Sequence, residues 1–285
     1  MKFEHTSTMN WENAFRGLRH PLESYAKSDS VFGIADNDAW LDDEATEVAY
    51  SYEKNWDDER IDPDREKIIN YLYDNGALRY GKYSAEYAFI GANDMDLAQR
   101  MIKAGSPNDK FLRQIFVSVD ITAPLYIWKE LDTYKVGTTA NSTSTMHKLA
   151  NTPITRECFE MGDYEGHLLM YEREPYDLDA YTNDMWDSII SYCETLRKSY
   201  LETKDIRYWK ELIRILPESW LQTRTFTCNY AVLRNILHWR KNHKLRYEWD
   251  SFIAWAKTLP YAEELLFYEN GYDNGYKLHN LLPSE

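Results

Sequence analysis

The chain has 285 residues, of which 44% are hydrophobic and 15% aromatic, so it can bury a sizeable core. Its formal net charge of -14 argues against a general binder of nucleic acids or anionic membranes, because phosphate groups require a surplus of lysine and arginine. The cysteines Cys158, Cys193 and Cys228 lack the spacing of a zinc site and indicate a reduced, cytoplasmic setting. No apolar run approaches the roughly 20 residues that span a bilayer.

The first third of the chain combines an acidic stretch with two predicted helices. Residues 35–66 are rich in aspartate and glutamate, which predicts a solvated surface insertion. Residues 64–76 predict a helix that stops at Asn-Gly. Residues 94–104 predict another helix, with Asp94 as its N-cap and Gly105 as its C-terminal stop.

The middle of the chain mixes strand and helix signals. Residues 111–123 alternate apolar and polar side chains, which is typical of a strand. Residues 124–136 predict a helix with Pro124 in its first turn, followed by a loop of small residues that starts at Gly137. Residues 165–172 predict a further short strand.

The C-terminal part is mainly helical in its pattern. Residues 183–203, 206–215 and 247–258 show helical periodicity, and so does the run from Asn229 to Arg240. With no repeats and no low-complexity linker, these elements predict one helix-rich α/β domain rather than two domains.

The run from Asn229 to Arg240 also carries a candidate binding surface. At about 100° per residue, Asn229, Leu233, Ile236 and Arg240 share one face of a helix. A polar group at each end with apolar groups between suits a flat ligand laid along the helix. The same pattern is typical of a core helix whose last arginine extends into solvent, and the stripe alone favours this second interpretation.

The loop after Gly137 carries six hydroxyl side chains between Thr138 and Thr145. Hydroxyls and free loop N–H groups are suitable donors to a phosphate, but the loop alone favours an ordinary Ser/Thr-rich segment that caps a helix at Ser144 or Thr145. The chain lacks a P-loop, a GxSxG elbow and a metal-binding motif. We therefore expect an organic cofactor rather than a metal.

Two segments together resemble the flavin-dependent thymidylate synthases. Family members carry a motif of the form RHRxxSxNExSxR, followed by a block with R-I-x-LP and an asparagine eleven residues before an arginine. This chain has RILP at Arg214–Pro217, the Asn229-to-Arg240 spacing, and Glu248 eight residues later. Asn141 and Ser144 stand at the spacing of the first motif.

Several positions differ from the family pattern, and the variant motif is similar to that of thymidylate-synthase-like proteins of bacteriophages. Thr139 stands for the first serine of the motif, and Ser142 for its glutamate. The remaining replacements are Tyr134, Lys135 and Val136 for Arg-His-Arg, Met146 for the final arginine, and Arg113 for a flavin-side histidine.

The resemblance implies a fold and an activity. The fold is a helix-rich α+β domain with a central, mainly antiparallel sheet, as in thymidylate synthase-complementing proteins, covering residues 1–285 with the acidic insertion at 35–66. The activity is methylation of dUMP to dTMP with methylenetetrahydrofolate, with FAD relaying hydride from NADPH. The family assembles as homotetramers, and a phage-encoded member would work in the host cytoplasm.

The resemblance also implies roles for individual residues. Ser144 and Arg240 would be the catalytic pair, with Ser144 near the dUMP phosphate or pyrimidine and Arg240 bonded to the pyrimidine ring. Arg214 would hold the phosphate from a neighbouring subunit, and Thr139 and Ser142 would complete the substrate site. The flavin side would comprise Arg113, Tyr134, Lys135, Asn141 and Asn229.

Other functions remain open at this stage. A variant enzyme could trap the methylene group with water and make 5-hydroxymethyl-dUMP. A non-catalytic phage protein could keep the fold and bind a nucleotide without redox chemistry. A third alternative is an interaction protein that contacts a partner through the acidic residues 35–66.

Overall fold

The computed structural model describes residues 1–35, 85–144, 149–161 and 178–268. In these residues the α-helices are α1 (Trp11–Arg19), α2 (Ala92–Ala104), α3 (Leu125–Leu131), α4 (Leu178–Thr203), α5 (Ile206–Ile215), α6 (Tyr230–Arg240) and α7 (Arg246–Lys257). Short 3-10 helices include Asn108–Gln114 and Arg156–Cys158, and a π-helical segment spans Ala262–Leu266.

The described strands are β1 (Lys2–Met9), β2 (Val31–Ala35), β3 (Ala85–Phe89), β4 (Phe116–Pro124), β5 (Thr139–Ser142) and β6 (Leu221–Asn229). Four of them form a central antiparallel sheet in the order β1-β4-β6-β5. Strands β2 and β3 pair separately as an antiparallel ribbon, with Val31 opposite Phe89.

Strands β4 and β6 carry a row of polar side chains on one face of the sheet. Hydrogen bonds join Ser118 with Thr227 (3.1 Å), Asp120 with Thr225 (2.6 Å) and Thr122 with Thr223 (2.7 Å). The paired numbers rise along one strand and fall along the other, as antiparallel pairing requires. The alternate residues Val117, Val119 and Ile121 are fully buried, so the opposite face belongs to the core.

Contacts divide the chain into two compact units. The first comprises Met1–Glu4, Val119–Lys135 and Thr139–Phe226, and the second comprises His5–Ser118, Val136–Thr138 and Thr227–Glu285. In the first unit, α4 and α5 help to enclose a core cluster in which Cys193, Trp209 and Leu212 are buried. The rings of Phe159 and Trp220 meet edge to face at 5.5 Å within this unit.

Aromatic rings form the centre of the second unit. Trp11 is 2% exposed and lies edge to face against Tyr230 at 5.2 Å and Tyr261 at 5.7 Å. Phe15 packs against Phe111 at 5.8 Å. The hydroxyl of Tyr230 donates to the carbonyl of Pro260 at 2.6 Å, so this buried ring also satisfies its polar group.

A buried ion pair also stabilises the second unit. Arg19 Nε donates to Asp94 Oδ1 at 2.5 Å, with both side chains almost completely buried. Ser28 and Ser30 donate to the other oxygen of Asp94. Burial raises the pKa of Asp94, but the hydrogen bonds from Ser30, Ser28 and Arg19 outweigh it and hold that pKa below its ordinary value.

In the first unit, Glu194 and Arg197 on α4 fix the backbone that follows the hydroxyl-rich segment. Glu194 accepts from Arg197 at 2.6 and 2.7 Å and from the N–H of Ile154 at 2.9 Å. Arg197 also donates to the carbonyl of Ala150 at 2.9 Å. The hydrogen bonds and charge of Arg197 lower the pKa of Glu194 to about 2, against the opposing effect of burial.

Three predicted elements need correction. Helix α2 begins at Ala92, and Asp94 is not its N-cap, because Asp29 accepts from the first N–H groups of the helix, those of Asn93 (2.8 Å) and Asp94 (3.1 Å). Its predicted stop at Gly105 is confirmed, with φ of 70°.

The predicted strand 111–123 begins only at Phe116, because Phe111 and Leu112 lie in a 3-10 helix that buries both side chains. Apolar spacing over so few residues suits either element. The predicted helix 124–136 starts after Pro124 and ends at Leu131, where Asp132 forms its C-cap.

The predicted helix-rich α+β fold with a central antiparallel sheet is confirmed. The helices expected at 183–203, 206–215 and 247–258 are present as α4, α5 and α7. The acidic segment 36–66, the helix at 64–76 and the strand at 165–172 lie outside the described residues. Within the described ranges, no helix is long and apolar enough to cross a membrane.

We expect Glu194→Gln to lower the free energy of unfolding by about 1–3 kcal/mol at pH 7. The folded pKa of about 2 lies below the ordinary 4.5, so the charged form stabilises the protein above that ordinary value. This contribution declines progressively as the pH falls from about 4.5 towards the folded pKa of about 2, so much of it is lost by pH 3. Urea unfolding of both proteins between pH 7 and pH 3 measures the effect.

The matched control is Glu202→Gln, which makes the same change on an exposed position of α4. It should leave the pH dependence unchanged. A stability difference for Glu194→Gln that stays constant down to pH 3 would mean that this carboxylate does not carry the acid dependence.

Candidate functional site

The hydroxyl-rich segment forms strand β5 in the first unit. Thr139, Asn141 and Ser142 are exposed on this strand, and Ser144 is half-buried two residues after its end. The backbone between Ser142 and Ser144 is held against β6, since the N–H of Thr143 donates to the carbonyl of Thr223 at 2.8 Å. The hydroxyl groups of Thr139, Ser142 and Ser144 therefore lie on or just after β5, which is an edge strand of the sheet.

Two residues that sequence reasoning missed support this segment from β6. Gln222 is 7% exposed, and its Nε2 donates to the carbonyl of Thr143 at 2.9 Å. Its Oε1 accepts from Arg224 Nε, also at 2.9 Å. Gln222 and Arg224 alternate along β6 in step with the buried residues Phe226 and Cys228. Because alternate residues of a strand share one face, this spacing is the sequence signal that Gln222 and Arg224 face the core.

The Arg224 guanidinium is held on three sides within the first unit. Besides Gln222, it donates to Asp132 at 2.9 Å and lies over the ring of Trp128, 4.4 Å from the ring centre. Trp128 is 1% exposed and donates through Nε1 to the backbone carbonyl of Gln222 at 2.9 Å. The side chain of Arg224 is therefore fixed in one orientation, and only 17% of it is exposed.

Tyr134 and Lys135 follow helix α3 in the first unit. The N–H of Tyr134 donates to the carbonyl of Leu131 at 3.0 Å, which continues the helical turn past the C-cap. Tyr134 is half-buried and Lys135 is exposed. Lys135 therefore presents its ammonium group to solvent as a point charge.

Arg214 lies on the exposed side of α5, again in the first unit. It donates to Glu211 one turn earlier at 3.1 Å, and 69% of its side chain is exposed. Ile213 and Trp209 line an open groove beside it. An exposed ion pair of this kind contributes about 0–1 kcal/mol to stability, so Arg214 can leave Glu211 and bind another anion with little loss of free energy.

In the second unit, Asn229 ends β6 and caps α6. Its side-chain oxygen accepts from the N–H of Val232 at 3.0 Å. Gly137 approaches this cap so closely that a Cβ added there would lie 3.0 Å from Asn229 Nδ2, and its φ of 77° also favours glycine. Asn229 is therefore packed rather than open to solvent, with 7% of the residue exposed.

The face of α6 that carries Asn229, Leu233, Ile236 and Arg240 is buried between its two polar ends. Leu233 and Ile236 are 0% exposed, so a flat ligand cannot lie along this face. Eleven residues correspond to about 16 Å of helix, and the two polar ends could therefore contact different groups. The interpretation as a core helix is correct for the apolar middle of the stripe.

Arg240 stands half-buried at the far end of α6. Its guanidinium lies 5.0 Å from the ring centre of Trp249, and the edge of His243 approaches the same indole at 5.9 Å. The N–H of His243 donates to the carbonyl of Arg240 at 3.1 Å, which closes the turn after the helix. The aromatic face restricts the arginine to a narrow range of orientations.

Arg113 is the last of the predicted site residues. It is exposed in the final turn of the 3-10 helix in the second unit. The described residues of the second unit therefore hold Arg113, Asn229 and Arg240, and those of the first unit hold the other predicted site residues. Burial raises the pKa of the Cys228 and Cys193 thiols, so neither is suited to act as a thiolate nucleophile.

No protein-family model matches the sequence, and no curated protein matches it. Among solved structures, the chain is similar to the flavin-dependent thymidylate synthase ThyX of Helicobacter pylori in complex with FAD and dUMP. That match has 16% identity and a TM-score of 0.43, and it covers 62% of this chain and 83% of the other. A second Helicobacter pylori ThyX structure with FAD and dUMP gives 16% identity, a TM-score of 0.44, and coverage of 72% and 91%.

A UMP/dUMP methylase, PolB from Streptomyces cacaoi bound with 5-Br UMP, is similar at 15% identity and a TM-score of 0.43. It is matched over 64% of this chain and 85% of its own. The first two structures belong to the family that the sequence motifs resemble. All three TM-scores lie below 0.5.

We expect Asn229→Ala to lower the free energy of unfolding by about 1 kcal/mol, because the N–H of Val232 loses its acceptor. Asn229→Ser is the matched control, since serine has nearly the same size as alanine and keeps a capping oxygen. Urea unfolding should find the serine variant closer to the wild type. Equal losses in both variants would mean that packing, rather than the cap, stabilises this junction.

Proposed function

We propose that this chain is a flavin-dependent enzyme that acts on C5 of dUMP, with methylenetetrahydrofolate as carbon donor, NADPH as reductant and dTMP as product. The observation that supports the proposal is that four sequence features have the same order and spacing as in one known family. RILP at Arg214–Pro217, Asn229, Arg240 and the Asn141–Ser144 segment keep the order and spacing of the flavin-dependent thymidylate synthases.

The substrate side of the proposed site uses hydroxyl and guanidinium donors. Thr139 and Ser142 on β5 and Ser144 after it offer hydroxyl groups to the phosphate or sugar of dUMP. Exposed Arg214 offers a bidentate fork to the phosphate, and in a homotetramer that phosphate would belong to a neighbouring subunit. Arg240 would hydrogen-bond a carbonyl oxygen of the pyrimidine from its place over the Trp249 ring.

The flavin side also fits the residues present. When bound, FAD supplies the hydride transfer, which leaves binding and orientation to the protein. Lys135 and Arg113 are exposed cations that suit a pyrophosphate, and Asn141 is an exposed amide that suits ring heteroatoms. Half-buried Tyr134 offers an aromatic face. We assign Asn229 to the flavin ring system from the resemblance alone, because its side chain is packed and caps α6.

The proposed flavin site would differ from that of the family in two ways. The Asn229 side chain is packed, and the Arg-His-Arg motif is absent. Tyr134 and Val136 stand at the positions of the two arginines, and Lys135 can supply a point charge but not a bidentate fork. Each lost charge-assisted hydrogen bond is worth roughly 1.5–3 kcal/mol. We therefore expect weaker flavin binding than an Arg-His-Arg site would give.

The proposed reaction is tested by tritium release from dUMP labelled at C5, with FAD, methylenetetrahydrofolate and NADPH present. Release of tritium with formation of dTMP supports the proposal. Release with 5-hydroxymethyl-dUMP as product indicates the variant enzyme in which water traps the methylene group. Absence of release from protein that binds dUMP would reject catalysis and leave a nucleotide-binding protein.

We expect Arg240→Ala to weaken dUMP binding roughly 10- to 100-fold, because a charge-assisted hydrogen bond to the pyrimidine is lost. Isothermal titration with dUMP measures the change. Arg246→Ala removes the same kind of side chain from the start of α7, where its partner Asp250 lies 3.8 Å away, and should leave affinity unchanged. Similar losses in both variants would point to a general charge effect and contradict the role of Arg240.

A further inference from the structure

The backbone at Thr143, next to Ser144, is hydrogen-bonded to strand β6 through both the side chain of Gln222 and the backbone of Thr223. Gln222 Nε2 donates to the carbonyl of Thr143 at 2.9 Å, while the N–H of Thr143 donates to Thr223 at 2.8 Å. The Thr143 carbonyl and the Ser144 N–H belong to the same planar peptide group. Fixing that carbonyl therefore fixes the direction of the N–H and the starting point of the Ser144 side chain.

The orientation of the Gln222 amide is itself determined by Arg224. A guanidinium only donates hydrogen bonds, so the group that faces Arg224 Nε at 2.9 Å has to be the oxygen of the amide. The amide nitrogen then faces the carbonyl of Thr143, where a donor is needed. Without Arg224, the amide would lose one of the two groups that select this orientation.

Arg224 is in turn held by groups at the end of α3. It donates to Asp132, the C-cap of that helix, at 2.9 Å and stacks over Trp128 at 4.4 Å. Asp132 comes two residues before Tyr134 in the chain. The same arginine thus links the end of α3 with the backbone that leads to Ser144, and both belong to the first unit.

We propose that Arg224 and Gln222 are positioning residues that set the Thr143–Ser144 peptide for nucleotide binding. Neither side chain needs to touch the ligand, since Gln222 is 7% exposed and Arg224 17%. Their effect on dUMP would pass through Ser144. This inference rests on the proposed function for its ligand, whereas the orientation of the peptide can be tested without any ligand.

Gln222→Glu is the sharpest variant. It keeps the length of the side chain and an acceptor for Arg224, but it replaces the donor to Thr143 with a second oxygen. The new carboxylate can still pair with Arg224, so the protein should fold, with an unfolding midpoint lowered by the loss of the donor to Thr143. We expect dUMP binding to weaken about 10- to 100-fold, which is the loss expected when a hydrogen bond to a charged group such as the phosphate is broken.

Glu218→Gln is the matched control, since it makes a single carboxyl-to-amide exchange at an exposed ion pair with Lys129 in the same unit. It should leave both affinity and stability unchanged. Arg224→Lys keeps the positive charge but cannot reach Asp132 and Gln222 with one fork, so we expect partial loss of affinity.

A double-mutant cycle with Ser144→Ala separates positioning from a general structural role. If Gln222 acts through Ser144, Gln222→Glu should weaken dUMP binding much less in the Ser144→Ala background than in the wild type. Equal fold-changes in both backgrounds would overturn the proposal.

The ligand-free readout is the amide NMR signal of Ser144. Gln222→Glu should shift this signal, and Glu218→Gln should not. An unchanged Ser144 signal in the Gln222 variant would overturn the positioning role whether or not dUMP binds. A shifted signal in a protein whose wild type binds no dUMP would support the positioning of the peptide and reject the proposed function instead.

Discussion

The junction at Asn229 is the constraint on which the candidate site depends. One residue ends the alternating pattern of β6 and starts α6, because its side-chain oxygen accepts from the N–H of Val232 at 3.0 Å. The position of Asn229 therefore determines which residues of β6 face the core and which residue ends α6. Counting back along the strand places Gln222 and Arg224 toward the core, and counting forward along the helix brings Arg240 to its last residue.

The arginines of this acidic chain differ in how firmly they are held, and that difference separates their proposed roles. Arg224 is enclosed by Asp132, Gln222 and Trp128, which suits a residue that orients other groups. Arg240 is half-buried over one aromatic ring, which restricts its direction and leaves part of it accessible. Arg214 is paired only weakly at the surface, which suits the exchange of one anion for another.

The long periodic helices and the Asn229-to-Arg240 register could be predicted from the sequence, because helix spacing and capping are local properties. The support from Gln222 and Arg224 could not, since it depends on β6 lying beside β5 and on a hydrogen bond to a residue 79 positions away. Asp94 shows the same limit. Its place near a helix start suggested a cap, but Arg19, 75 residues earlier, and the capping carboxylate of Asp29 made it a buried ion-pair partner.

The visible spectrum of the purified protein tests the central claim most directly. Wild-type protein is equilibrated with FAD, freed of unbound flavin by gel filtration, and measured with and without dUMP. The account predicts retained flavin absorbance that changes when dUMP is added, because the proposed flavin residue Asn141 directly precedes the proposed dUMP residue Ser142 in β5. A colourless protein that also shows no thermal shift with dUMP would contradict it.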